Sequence, residues 1–288
     1  MDGPLPMDGP LPMDDWVALA IAETISILRS TGLKIETWTI LSQSNRLVLD
    51  LKPCRLIAKG VRTDVRGRLD LEVAVSQHIV ARSGPSARPA SPSGPFHGPT
   101  VSVSVWEPLA MLGAPSEPAI CCAYAELRSC LDSFAQGLPD FRDTIREANR
   151  LVKRTDLPGI SESDTSFVRA SFDRALSCLA SFHWNACALH GDPHSGNVVL
   201  TPDGPRWFDL ESVCAGPVEW DLSALPACSS AMDHDRDLLA VLTTLRRGCV
   251  VTWCASKTRL TPIEAEALAH HLAALKQEAD AVGRPTSF

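Results

Sequence analysis

The chain has 288 residues, 45% hydrophobic and 21% charged, enough for one large domain or two modest lobes with a sizeable core. Its net charge of −7 is unevenly spread: residues 1–105 carry 11 basic and 10 acidic side chains (+1), residues 106–288 carry 16 and 24 (−8). An acidic half repels phosphate and so argues against nucleic acid as a partner, and no apolar stretch reaches the roughly 18 residues a membrane span needs.

The first twelve residues are a perfect duplication, Met1–Pro6 and Met7–Pro12, with no basic region and no long apolar core. They are expected to form a disordered extension over 1–13, not a secretory signal. The ten cysteines include no C-x-x-C pair. They are expected to be small apolar side chains in a reducing, cytoplasmic setting.

Asp14 or Asp15 can cap a helix to about Ser30, with Val17, Ile21, Ile25 and Leu28 on one face and Gly32 at its end. Short β-like runs follow at Trp38–Leu41, Arg46–Leu51 and Arg55–Lys59, then a helix over Arg66–Ala81. A Pro/Gly/Ser-rich stretch, Arg82–Thr100, reads as a loop, and Val101–Val105, "VSVSV", alternates as a strand. From about Ala119 the texture is helical. Asp164–Trp184 carries Val168, Phe172, Leu176 and Leu179 on one stripe, and Thr261-Pro262-Ile263-Glu264 is a helix start with Thr as N-cap and Glu at N3. Between the long helices, "NVVLT" and "RWFDL" form a hairpin across "PDGP".

Immediately before that hairpin stands "HGDPHSGN", residues 190–197. His190, Asp192 and His194 could ligate a catalytic zinc, but such a site needs further ligands, and the later histidines sit in helical text. Alternatively, protein kinases use a loop H-R-D-x-x-x-x-N, in which the Asp accepts the substrate hydroxyl proton and the Asn binds Mg²⁺. Asp192 and Asn197 have that spacing. Asp209, in "WFDL", is a second carboxylate on the other arm of the hairpin, where the two strand ends would let Asn197 and Asp209 share a metal. In the N-terminal half, "LIAK" ends a strand on Lys59, and Glu72 on the next helix can pair with it, with Asp70 as a rival. "SQSN" lies between two strands, where kinases cover the phosphates. It has no glycine, which leaves Ser44 and Asn45 to make the approach.

"LHGDPHSGNVVL" followed by "WFDLESVCAGPVEWDLS" resembles the aminoglycoside phosphotransferase family, antibiotic kinases that are also similar to choline kinases. The resemblance implies an α+β, bilobal, protein-kinase-like fold with a small β-rich N-lobe and a larger helical C-lobe. A nucleotide-binding lobe would span 14–105 and a catalytic and substrate-binding lobe 106–288. Asp192 would be the catalytic base, Asn197 and Asp209 the Mg²⁺ ligands, and Lys59, set by Glu72, the phosphate lysine. Trp106 and Glu107 would lie at the hinge beside the base of ATP or GTP. His190 and Asp221 would anchor the catalytic loop. His194, Glu211, Asp233 and Asp235 are the candidates for the substrate side, although Asp233 and Asp235 read more simply as a solvated helix start. Leu210 stands where the family often has an aromatic residue. The expected reaction moves the γ-phosphoryl group to a hydroxyl of a small, cationic acceptor such as an amine-rich antibiotic, in a monomer or weak dimer. A metabolic amino-alcohol or sugar kinase, a silent nucleotide-binding module and a metal-dependent hydrolase are the alternatives.

Overall fold

The computed structural model describes residues 13–43, 46–63, 66–134, 137–154 and 157–283. The extension expected over 1–13 lies outside them except for Met13, where helix α1 (Met13–Ser30) begins. The inward face of α1 is Trp16, Val17, Ala20, Ile25 and Leu28, all buried. Gly32 ends it at φ +91°, a conformation that a Cβ would strain, with its N–H on the Arg29 carbonyl.

Strands β1 (Ile35–Gln43), β2 (Leu47–Pro53) and β3 (Leu56–Arg62), helix α2 (Arg66–Ala81), and strands β4 (Phe96–His97) and β5 (Val101–Trp106) complete this part. Among the described residues they make one antiparallel sheet in the order β1-β2-β3-β5-β4. Leu47, Leu49 and Leu51 of β2 alternate inward and are fully buried against the core that α1 closes. β5 departs from its sequence pattern. Alternation predicts one wet face, yet all six of its residues are buried, because α1 and α2 both pack against it. The two serines pair instead of meeting water: Ser104 Oγ accepts the Trp106 indole N–H at 2.8 Å, and Ser102 Oγ lies 3.0 Å from His97 Nδ1.

Helices α3 (Glu117–Leu131), α4 (Arg142–Arg154) and α5 (Glu162–Leu179) and strand β6 (Cys187–Leu189) come next. Helix α5 stops short of the expected Trp184. The chain turns at Ala180–Phe182, and Trp184 packs edge-on to Phe141 at 5.7 Å. The hairpin β7 (Val198–Thr201) and β8 (Gly204–Trp207) is followed by β9 (Cys214–Gly216), α6 (Val218–Leu222), α7 (Arg236–Ala255) and α8 (Pro262–Gly283).

The chain forms two compact units: Met1–Gly113 with Val199–Ser212, and Ala114–Val198 with Val213–Phe288. The expected single cut after residue 105 is therefore displaced, and the hairpin crosses to the first unit. Backbone bonds explain this: Leu112 N–H meets Leu200 O at 2.8 Å, and Ala87 N–H meets Trp207 O at 2.7 Å.

In the second unit α7 is long and apolar enough to cross a membrane by length and composition alone. It is instead a core helix, packed by α4, α5, α6 and α8, with Leu238, Leu242, Leu245 and Cys249 buried. Gly248 permits the approach of α5, since a Cβ there would stand 3.0 Å from the Phe172 ring. Helix α8 opens on the expected capping box: Thr261 N–H donates to Glu264 Oε2 at 2.8 Å and Glu264 N–H to Thr261 Oγ1 at 3.3 Å. The cysteine expectation fails at one pair. Cys121 and Cys228, 107 residues apart, are disulfide-bonded with Cα atoms 5.2 Å apart, a proximity that only tertiary packing creates.

Asp235 caps α7, accepting from the N–H groups of Asp237 (2.9 Å) and Leu238 (3.1 Å). Asp235→Ala should therefore cost about 1 kcal/mol, while Asp235→Asn, itself a good cap, should cost little. Urea midpoints at constant m-value check this, and equal losses for both variants would contradict the capping role.

Candidate active site

The sequence "HGDPHSGN" folds as a loop leaving β6. One buried side chain holds it. Asp221, in α6 and fully buried, accepts the His190 N–H on Oδ2 at 2.8 Å and the Gly191 N–H on Oδ1 at 2.9 Å. The Tyr124 hydroxyl donates to Oδ2 as well, at 2.9 Å. Burial pushes the Asp221 carboxyl up from its ordinary range, while these donors and the nearby charges of His190 and Arg246 favour the anion. Gly191 turns the chain at φ +85°.

Beyond that turn Asp192 is half-exposed and held from both sides. Arg246, from α7, donates through Nη1 to Asp192 Oδ1 at 3.2 Å. His194 Nε2 stands 3.6 Å from Oδ2. The Gly196 N–H donates to His194 Nδ1 at 3.0 Å, which leaves the ring proton on Nε2, facing the carboxylate. A Cβ on Gly196 would fall 2.8 Å from that ring, so the glycine makes room for it. His194 thus shapes the loop and faces Asp192. The amide nitrogen of Asn197 donates to Asp192 O at 2.9 Å, which turns Oδ1 into the end that could meet a cation.

The hydrolase alternative needs His190, Asp192 and His194 to converge on a metal. His190 is fully buried, with Nδ1 3.4 Å from the Asp192 N–H, and His194 Nδ1 is taken by Gly196. Among the described residues, the carboxylate, His and Cys groups close enough to share an ion are Glu72, Asp209 and Glu211, not these three.

That carboxylate trio lies in the first unit. Lys59, on β3, points its ammonium at Glu72 on α2 (2.6 and 2.8 Å) and at Asp209 Oδ1 (2.9 Å), with Glu211 Oε2 at 3.4 Å. Asp70, the rival for Lys59, faces the His97 ring at 3.2 Å instead. Asp209 is not on a strand, as the hairpin reading placed it. It lies two residues beyond β8 at φ +65°, a left-handed conformation that aspartate tolerates, and this aims its carboxylate at Lys59. Arg46, ahead of β2, ion-pairs with both Asp209 and Glu211. Burial alone would raise the Asp209 carboxyl, but Lys59 and Arg46 hold it down at about 2. Burial likewise works against the Lys59 charge, and its carboxylate partners more than offset it, so its pKa is raised.

These groups close one end of a cavity of about 800 Å³ lined by Leu41, Val48, Ile57, Trp106, Glu107 and Phe208 as well. Trp106 ends β5 and is nearly buried, and Glu107 N–H donates to Arg88 O at 2.9 Å. Ser44 and Asn45 lie outside the described residues. Glu211, expected on the substrate side, belongs to this cluster. Asp233 and Asp235 line a separate cavity of the second unit with Arg128, His183 and His234. Asp235 is the cap of α7, about 16 Å along the helix from the Arg246 that touches Asp192. Sequence reasoning missed three residues: Tyr124, Arg46 and Arg246. Only Arg246 left a signal, as a cation on the otherwise apolar stripe Leu238, Leu242, Leu245, Cys249.

Residues 40–255 match the model of the phosphotransferase enzyme family. The chain belongs to that family. No curated protein matches it significantly in sequence. Solved structures of the same fold include an amicoumacin kinase, hAmiN, in complex with AMP-PNP, Ca²⁺ and Ami, at TM-score 0.70 and 13% identity, covering 92% of this chain and 96% of that one. The choline kinase LicA from Streptococcus pneumoniae is similar at TM-score 0.64 and 12% identity, with 89% and 99% covered. A GDP complex of an aminoglycoside 2′-phosphotransferase is similar at 0.62 and 11%, with 92% and 99% covered. This phosphotransferase thus has the α+β kinase fold that its sequence resembles, a sheet-bearing unit and a helical one.

Asp209 gives this site a pH signature. Its carboxyl is depressed from 3.8 to about 2, so the stabilisation it supplies is complete above about pH 4 and is lost as pH falls through 2. The stability gap between the parent and Asp209→Asn should be about 2 kcal/mol near neutrality and about half that at pH 3. Urea denaturation from pH 6 to pH 3 measures it, and a gap independent of pH would contradict the depressed pKa.

Proposed function

We propose that this phosphotransferase is a small-molecule kinase that moves the γ-phosphoryl group of a nucleoside triphosphate to a hydroxyl of an amine-bearing acceptor. The observation that carries this reading is Lys59, fixed between Glu72 and Asp209 in the wall of an 800 Å³ cavity that also presents Leu41, Val48, Ile57, Trp106 and Phe208, with charged Asp50, Lys52, Arg55 and Glu107 among its lining. An aromatic and aliphatic slot ending in an anchored ammonium suits a flat base joined to phosphates. Trp106, Ile57, Val48 and Phe208 would meet the base, and Lys59 the phosphates.

The carboxylate oxygens of Asp209, Glu211 and Glu72 within 4.8 Å of one another are the donor set a hard divalent cation prefers. Asp209 and Glu211 would hold Mg²⁺, since Glu72 is committed to Lys59. A bound Mg²⁺ would neutralise charge on the phosphates. Asp192 would accept the acceptor's hydroxyl proton at Oδ2 and orient the oxygen for attack. Binding and orienting supply most of the rate in such a transfer, so the pinned loop counts for as much as the base.

Two observations favour an amine-bearing acceptor over a neutral one. The acidic excess lies in residues 106–288, the part that carries Asp192. Two kinases of the same fold are named for choline and for aminoglycosides, both cationic alcohols. A cationic acceptor gains Coulomb attraction and faster encounter in an acidic field.

Nucleotide consumption over a panel of aminoglycosides, cyclic peptide antibiotics, macrolides and amino alcohols tests the acceptor. Turnover is expected with an amine-bearing member and should weaken several-fold in KM as KCl rises. Turnover confined to neutral members would overturn that part of the reading. Asp192→Asn should lower kcat by roughly 10²–10⁴-fold with nucleotide affinity near that of the parent. A variant that keeps more than about a tenth of parental kcat excludes Asp192 as the base.

A further inference from the structure

Arg246 is a buried guanidinium in the core helix of the second unit, with 8% of its surface exposed. Its donors are shared out with little left over. Nε donates to Ser223 Oγ at 2.7 Å, and Nη2 donates to Gly191 O at 3.0 Å and Trp220 O at 2.8 Å. Nη1 donates to Asp192 Oδ1 at 3.2 Å. The Trp220 ring lies under the guanidinium, 3.9 Å from centroid to Cζ. Burying such a cation costs several kcal/mol unless its hydrogen bonds are made, and an apolar residue would pack α7 between Leu242 and Cys249 more cheaply. Its retention there calls for a role that packing does not supply.

The fork geometry supplies one. A half-exposed aspartate on a loop can turn about two side-chain bonds. Arg246 fixes the loop at Gly191 O with one nitrogen and the carboxylate at Oδ1 with the other, a paired constraint that a guanidinium can make and an ammonium cannot. With Oδ1 tied and His194 Nε2 no nearer to Oδ2 than 3.6 Å, Oδ2 is the oxygen presented to a hydroxyl. We propose that Arg246 is the positioning residue of the reaction, acting through Asp192 and touching neither substrate nor nucleotide. The inference rests on the reading of Asp192 as the base.

The test compares the parent, Arg246→Lys, Ser223→Ala, Asp192→Ala and the double variant Arg246→Lys/Asp192→Ala. Each is followed as ADP release from Mg-ATP with water as acceptor and normalised to sites that bind a fluorescent ATP analogue, so that unfolded protein does not count. Arg246→Lys should lower kcat at least tenfold with nucleotide KM within about twofold of the parent. Ser223→Ala, which frees only Nε, should lower kcat a few-fold in the same pattern and covers the case in which Arg246→Lys folds poorly. In the Asp192→Ala background the lysine substitution should add almost nothing, because the two act as a unit. Parental kcat in Arg246→Lys beside an inactive Asp192→Ala overturns the positioning role alone, as does a full additive loss in the double variant. Parental activity in Asp192→Ala overturns the base reading itself.

Discussion

Asp221 is a carboxylate at zero exposure that the second unit cannot leave unpaired. An isolated buried charge of this kind would cost several kcal/mol. Its two oxygens are satisfied by the Gly191 N–H on one side and by the His190 N–H and the Tyr124 hydroxyl on the other. Satisfying it fixes where β6 ends, where the chain turns at Gly191, and how α3 meets α6 through Tyr124. Trp220, the preceding residue, then forms the floor under Arg246, and Arg246 reaches Asp192. The geometry of the 190–197 loop is thus a consequence of one desolvated carboxylate and its obligatory donors.

The first unit works with the opposite device. It gathers Lys59 and Arg46 against Glu72, Asp209 and Glu211, so that no single pair carries the charge balance. Such a cluster is easily rearranged by an incoming polyanion or cation, since every group in it except Glu72 has more than one partner. Asp221 has fixed backbone donors and no such freedom. The two sets suit different tasks: ligand exchange in one unit, a permanent scaffold in the other.

The sequence carried the parts of this account that are local in the chain. The five-residue step from Asp192 to Asn197, the strand ending on Lys59 and the capping box at Thr261 are patterns of neighbouring residues with direct physical meaning. What it concealed depends on contacts between distant segments. The Cys121–Cys228 bond spans 107 residues and has no spacing to betray it. The full burial of β5 depends on α2 covering the face that its serines mark as wet, while α1 covers the valine face. Asp235, in an acidic stretch, reads as a solvated helix start or as a cation binder, and it is the N-cap of α7; the two readings compete because cap and ligand use the same side chain. Glu211 follows Asp209 by two residues, yet its partners, Lys59 and Arg46, are more than 150 residues away, and only the fold shows that it belongs with them.

The central claim, phosphoryl transfer from a nucleoside triphosphate to an alcohol, is tested most directly by ³¹P NMR of a reaction containing Mg-ATP and the amine-bearing acceptor panel. The account predicts a new phosphomonoester resonance coupled to a carbon-bound proton of the acceptor, with ADP formed in equal amount. AMP and pyrophosphate as products, or a phosphodiester on the acceptor, would contradict it.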